Sequence, residues 1–141
     1  MSTTKKTTIT IEAIVHAPIV KIWQYWSEPK HIIKWNNASD DWHTPQAQNN
    51  LKVGGIFNYR MEAKDGSLGF DFGGTYDEVQ MNKRIAYTIG DGRKVQITFA
   101  ANGNQTKIIE TFEAETAHPV DLQKNGWQAI LNNFKKYAEA H

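Results

Sequence analysis

The sequence predicts an α+β fold in which six to seven antiparallel strands wrap around one long C-terminal helix, with two short helices after the first strand. Three observations carry this expectation. Apolar residues alternate at period two through most of the chain before its last quarter. Tight-turn dipeptides, Asp65-Gly66, Asp91-Gly92 and Asn102-Gly103, separate alternating stretches and so join them as hairpins. The last quarter switches to three- and four-residue spacing, the mark of an amphipathic helix.

Thr8 to Val15 reads as the first strand, because Ile9, Ile11, Ala13 and Val15 share one face. Ala17-Pro18 breaks it, and Pro18 suits the first turn of a helix. Ile19, Ile22, Trp23 and Trp26 form the apolar stripe of that short helix, which Glu28-Pro29 ends. Pro29 opens a second short helix carrying Ile32 and Ile33. Trp35 to Pro45 is polar and irregular, with Asn36-Asn37 and Asp40-Asp41 as turn formers, and reads as a loop. Trp35 and Trp42 lie in or beside it; either both tuck under the loop or one guards a pocket mouth.

From Ala47 to Glu115 strand and turn repeat. Gly54-Gly55 marks a turn or bulge. Phe57, Tyr59 and Met61 share a face, which leaves Asn58 and Arg60 on the other. Phe70, Phe72 and Tyr76 alternate around Gly73-Gly74, which predicts a bulge or bend in that strand. Ile85, Tyr87 and Ile89, then Val95, Ile97 and Phe99, then Ile108, Ile109 and Phe112 mark the remaining strands. Pro119 opens the last helix, whose stripe is Trp127, Ile130, Leu131, Phe134, Tyr137 and Ala138. Gly126 interrupts this helix at a cost of ~1 kcal/mol against Ala. Close packing of helix on sheet is the expected reason, and room for a ligand beside Trp127 the alternative.

The chain of 141 residues shows no linker, repeat or low-complexity tract, so one domain spanning 1–141 is expected. It has no cysteine, which excludes disulfides and thiolate metal sites. The net charge is +1 with acids and bases interspersed, so neither nucleic acid nor an anionic membrane is an expected partner. Met1 to Lys6 carries no long apolar run, so no secretory signal or membrane anchor is expected, and the expected setting is cytoplasmic. His31, Asp40, Asp41 and His43 lack the helical spacing of a zinc site and read as a solvated loop; no metal or cofactor is expected. His16 and His118 read as boundary residues beside the prolines. There is no Gly-x-Ser-x-Gly elbow and no phosphate loop. Five Trp, five Tyr and six Phe remain, either to fill a core or to line a pocket.

Several motifs, in this order, carry a family resemblance. They are Ala17-Pro18 with Trp23; Pro29, Trp35 and Trp42; Gly54-Gly55-Ile56-Phe57; and Asp65-Gly66-Ser67 with Gly69 to Tyr76. Asp91-Gly92-Arg93, Phe112-Glu113-Ala114-Glu115, and Gly126-Trp127-Gln128 with Ile130 to Phe134 follow. Together they resemble the SRPBCC, or START-like, superfamily, in the branch similar to the activator of heat-shock protein 90 ATPase. The resemblance covers nearly the whole chain. It implies the helix-grip fold, as in the birch pollen allergen, with seven strands gripping the last helix over a cavity. Superfamily members bind lipids, sterols, polyketides and plant hormones, and some are polyketide aromatases or cyclases. The branch has no universal catalytic motif to carry across.

The resemblance thus implies a cavity lined by Phe57, Tyr59, Phe70, Phe72, Tyr87 and Trp127, with Ile130 and Phe134 as its helical wall and Trp35 closing its mouth. The expected function is binding of a small hydrophobic or aromatic molecule, with no assigned reaction. The alternatives are an aromatase- or cyclase-like enzyme and a chaperone-interacting module. A second copy of the chain is a candidate partner. Glu110 is the catalytic candidate. It shares strand parity with Ile108 and Phe112 and enters the cavity if they do, whereas a bulge would turn Ile109 and Thr111 inward instead. Tyr59, Tyr76 and Tyr87 each carry a hydroxyl that can serve a cavity or an ordinary core.

Overall fold

The structure, a computed structural model, describes residues 7–141. It begins with β1 (Thr8–Val15), α1 (Ile19–Ser27) and α2 (Pro29–Trp35). Six strands follow: β2 (Trp42–Asn49), β3 (Ile56–Ala63), β4 (Gly69–Gln80), β5 (Arg84–Ile89), β6 (Lys94–Asn102) and β7 (Gln105–Glu113). The chain then enters α3 (Val120–Ala140). The strands form one antiparallel sheet in the order β1-β7-β6-β5-β4-β3-β2, curled into a half-barrel.

Alternation decides which residues face the hollow. Ile9, Ile11 and Val15 of β1 are buried, as are Ile108 and Phe112 of β7, Val95, Ile97 and Phe99 of β6, and Ile85, Tyr87 and Ile89 of β5. Phe57, Tyr59 and Met61 continue this face on β3, while Arg60 lies outside with its Nε donating to Glu62 at 2.8 Å.

Two expectations need correcting. The polar stretch read as a loop up to Pro45 ends in strand, since β2 already starts at Trp42. Its pairing with β3 slips between His43 and Gln46. β2 is an edge strand, so Pro45 at the slip withdraws no needed N–H from a second neighbour. The bulge foreseen at Gly73-Gly74 lies instead between Tyr76 and Glu78. The glycines keep regular pairing because β3 and β5 press close. A Cβ on Gly73 would meet the Phe57 carbonyl oxygen at 2.6 Å, and one on Gly74 would strike that of Thr88.

Along α3 the apolar stripe is used unevenly. Leu131, Phe134 and Ala138 are wholly buried, whereas Trp127 and Ile130 are half-buried. Phe134 sits edge-on to Trp26 of α1 and Trp35 of α2, with ring centroids 4.9 Å apart in each pair. The Trp35 indole N–H donates to the Tyr25 carbonyl at 2.9 Å, and Asn133 Nδ2 donates to the Trp35 carbonyl at 2.7 Å. These rings lock the C-terminal half of α3 to the short helices. Emptying the lock leaves a cavity, so Phe134→Ala should cost about 3–5 kcal/mol in urea unfolding. A loss below about 1 kcal/mol would show that the lock is not a principal source of stability.

Candidate functional site

Where the C-terminal half of α3 fills the hollow, the N-terminal half does not. A cavity of about 380 Å³ lies between the sheet and residues 122–131. Aromatic rings make most of its wall. Phe57, Tyr59, Phe72, Tyr76 and Tyr87 come from β3, β4 and β5, and Trp127 comes from α3. Trp127 stacks on Phe112 with centroids 3.9 Å apart and planes 11° from parallel, which fixes its ring as a flat wall. Exposed Phe70 and Leu122 mark the open rim.

Of the residues singled out in the sequence, Trp35, Phe57, Tyr59, Phe70, Phe72, Tyr87, Trp127 and Ile130 line this cavity, and so does Glu110. Phe134 does not. It is consumed by Trp26 and Trp35, one helical turn beyond the last lining residue. Trp35 is no gate either: it is 3% exposed and tied to Tyr25, so it forms an inner wall. Trp42 lies 5.9 Å from Phe70 but does not line the cavity.

The reason expected for Gly126 is also overturned. A Cβ there would meet nothing within 4 Å, so close packing does not require glycine. Gly126 borders the cavity instead. Gly126→Ala should therefore stabilise the protein by about 1 kcal/mol through helix propensity alone, read from the urea midpoint; destabilisation would mean that the helix backbone is strained there.

Among the described residues, Glu110 is the only buried acid. Regular pairing of β7 with β1 and β6 keeps its parity with Ile108 and Phe112, so no bulge turns it out. Opposite it stand Ile11 and Ile97, neither of which offers a hydrogen bond. Burial raises its pKa to about 8, by penalising the carboxylate. Tyr87 is pushed well above its usual range by burial and then by Glu110. Tyr59 is pushed up likewise, by burial and then by Tyr76. Tyr76 spends its hydroxyl on Asn49 Oδ1 at 2.5 Å.

Several polar lining residues were not legible as site residues. Arg93 leaves the β5–β6 turn and its Nε donates to Asp91 Oδ2 at 2.8 Å. Glu115 and His118 follow β7 and pair at 2.5 Å. Buried Gln123 staples this segment, accepting from Glu115 N at 2.8 Å and donating to the His118 carbonyl at 2.8 Å. Their only signal was position beside a turn or helix start, which does not say where a side chain points. The loop groups weighed as metal ligands are not brought together. His31 Nδ1 shares a 2.7 Å hydrogen bond with the Tyr137 hydroxyl, and His43 lies 3.9 Å from Glu62.

A sheet gripping a helix over such a hollow is the architecture of the START-like, or SRPBCC, superfamily. The model of one family within it, the Activator of Hsp90 ATPase homolog 1-like proteins, matches residues 16–139, and the chain belongs to that family. It is similar to the AHSA1-like protein from Aeromonas hydrophila in solution, at 46% identity and a TM-score of 0.89, over 95% of this chain and 93% of that one. It is also similar to a protein from Cytophaga hutchinsonii, at 57% identity and a TM-score of 0.82, over 94% and 92%. A Chromobacterium violaceum protein shares the fold at 22% identity and a TM-score of 0.83, over 94% and 96%. No curated protein matches the chain. Among the described residues, no helix is long and apolar enough to cross a membrane.

The sign of the Glu110 effect is fixed by its raised pKa. The folded state favours the protonated acid, so stability is full below the ordinary value of 4.5 and is lost as pH rises towards about 8. Across that window the loss should be about 1.4 kcal/mol per pH unit. Urea unfolding at several pH values should show this decline in the wild type and lose it in Glu110→Gln. Equal profiles would place the carboxyl in water.

Proposed function

We propose that the chain binds a small hydrophobic or aromatic molecule in the cavity between the sheet and α3. One observation carries this reading: a hollow of about 380 Å³ walled largely by aromatic rings. Ligand pockets have this make-up, at about 300–1,000 Å³. A rigid ring such as Trp127 gives flat contact area at little entropic cost, because Phe112 already holds it in place.

A second reading, an aromatase- or cyclase-like activity, draws on Glu110. An acid that titrates near neutral pH inside a cavity is suited to proton transfer. It asks for turnover of a cyclisable polyketone that stops in Glu110→Gln. The chaperone-module reading asks for a broad exposed apolar face. The most exposed large apolar side chains, Val20, Val53, Ile56, Leu68 and Met81, come from separate segments: α1, β3 and three different turns.

Displacement of an environment-sensitive dye by fatty acids, sterols and flavonoid-like compounds tests the binding reading. Saturable displacement by at least one class is expected, weakened roughly 3–10-fold by Trp127→Ala. Absence of displacement, with a dye signal indifferent to Trp127→Ala, would overturn it.

A further inference from the structure

Resting on that reading, we infer that Glu110 determines which molecules the cavity accepts: its buried carboxyl, which has no hydrogen-bond partner among the described residues, donates to an acceptor atom on an uncharged, otherwise apolar ligand. The geometry argues for this in three steps.

The first is isolation. Glu110 is 6% exposed, and no hydrogen bond or ion pair reaches it from a described residue. Its neighbours along β7 and across the sheet are Ile108, Phe112, Ile11 and Ile97. Its oxygens open onto the cavity rather than being sealed in the core, where a polar group without a partner is costly. Its carboxyl borders the cavity, so a ligand placed there can supply the missing partner.

The second is the charge around it. From β5 it faces Tyr87, with Tyr76 of β4 and Tyr59 of β3 beyond. Arg93 reaches the cavity from the β5–β6 turn but is held by Asp91. Glu115 and His118 reach it between β7 and α3 but hold each other. The stretch of α3 along the cavity brings Leu122, Gln123, Trp127, Ile130 and Leu131, none of them titratable, and α1 and α2 bring only Trp26 and Trp35. The inward residues of β1 are apolar. A ligand anion would thus meet the Glu110 carboxyl, while the cationic side chains that border the cavity, Arg93 and His118, each already face a carboxylate. A ligand cation would require Glu110 to ionise, which its surroundings oppose.

The third is proton state. With its pKa raised to about 8, the acid keeps its proton at neutral pH and acts as a donor. The Tyr87 hydroxyl, whose pKa is also raised, stays protonated beside it. The polar part of the cavity is therefore donor-rich, and it selects a ketone, ether or similar acceptor.

Four probes of one shape test this by calorimetry: acetonaphthone, ethylnaphthalene, naphthoate and naphthylmethylamine, with circular dichroism checking the fold at each pH. At pH 7 the ketone should bind about tenfold tighter than the hydrocarbon, and the anion more weakly than either. Ketone affinity should fall by about tenfold as pH rises through ~8 and then level off. Glu110→Gln keeps an N–H donor, so the preference should persist while the pH dependence disappears. Glu110→Leu should bind the hydrocarbon unchanged and lose the preference. The inference is overturned by equal affinity for ketone and hydrocarbon, by a preference that survives Glu110→Leu, or by an amine that binds best with affinity rising with pH. If none of the four binds the wild type, the cavity-binding reading fails and takes this inference with it.

Discussion

One helix is too narrow to cover the concave face of seven curled strands, and the architecture follows from that mismatch. An apolar face left to water is unfavourable in proportion to its area. Two devices share the task of covering it. At the C-terminal end of α3, the short helices α1 and α2 close the gap with Trp26 and Trp35 around Phe134. At the N-terminal end nothing equivalent arrives, and the rings of β3, β4 and β5 face the helix across open space. The cavity is what remains after the chain has packed everything it can reach.

The two ends also differ in what they cost. Gly126 forgoes helix propensity at a position where the backbone does not require it. Glu110 places an acid where burial raises its pKa to about 8. Either residue could be exchanged for one more favourable to folding. Both concessions fall on the cavity, and local rules are most often broken where a protein does something other than fold.

Much of this was legible in the sequence because its signals were local. Period-two alternation placed the inward faces of β1, β3, β5, β6 and β7, and the Asp-Gly turns fixed their connection. The first half of the edge strand β2 was read as loop because Pro45 and a polar composition are what an edge tolerates and a centre does not. The site was only half legible. Strand parity allowed Glu110 inward but could not exclude a bulge, and the bulge fell on β4 instead. The resemblance implied Phe134 as cavity wall and Trp35 as gate. Whether a ring lines a hollow or fills it depends on partners remote in sequence, here a hundred residues from Trp35 to its neighbour on α3 in round terms.

The helix also settles the fate of the sheet's first border. Beyond β7, the outward groups of β1 meet α3: Gln128 donates to the Glu12 carbonyl at 3.2 Å, Lys135 to the Ile14 carbonyl at 2.6 Å, and His16 N to Glu139 at 2.8 Å. The opposite border carries Pro45 and a register slip. Neither margin offers a clean ladder for lateral pairing with another chain. Extending the sheet past β1 into a second molecule would first mean prising the helix away, and past β2 it would meet the break at Pro45.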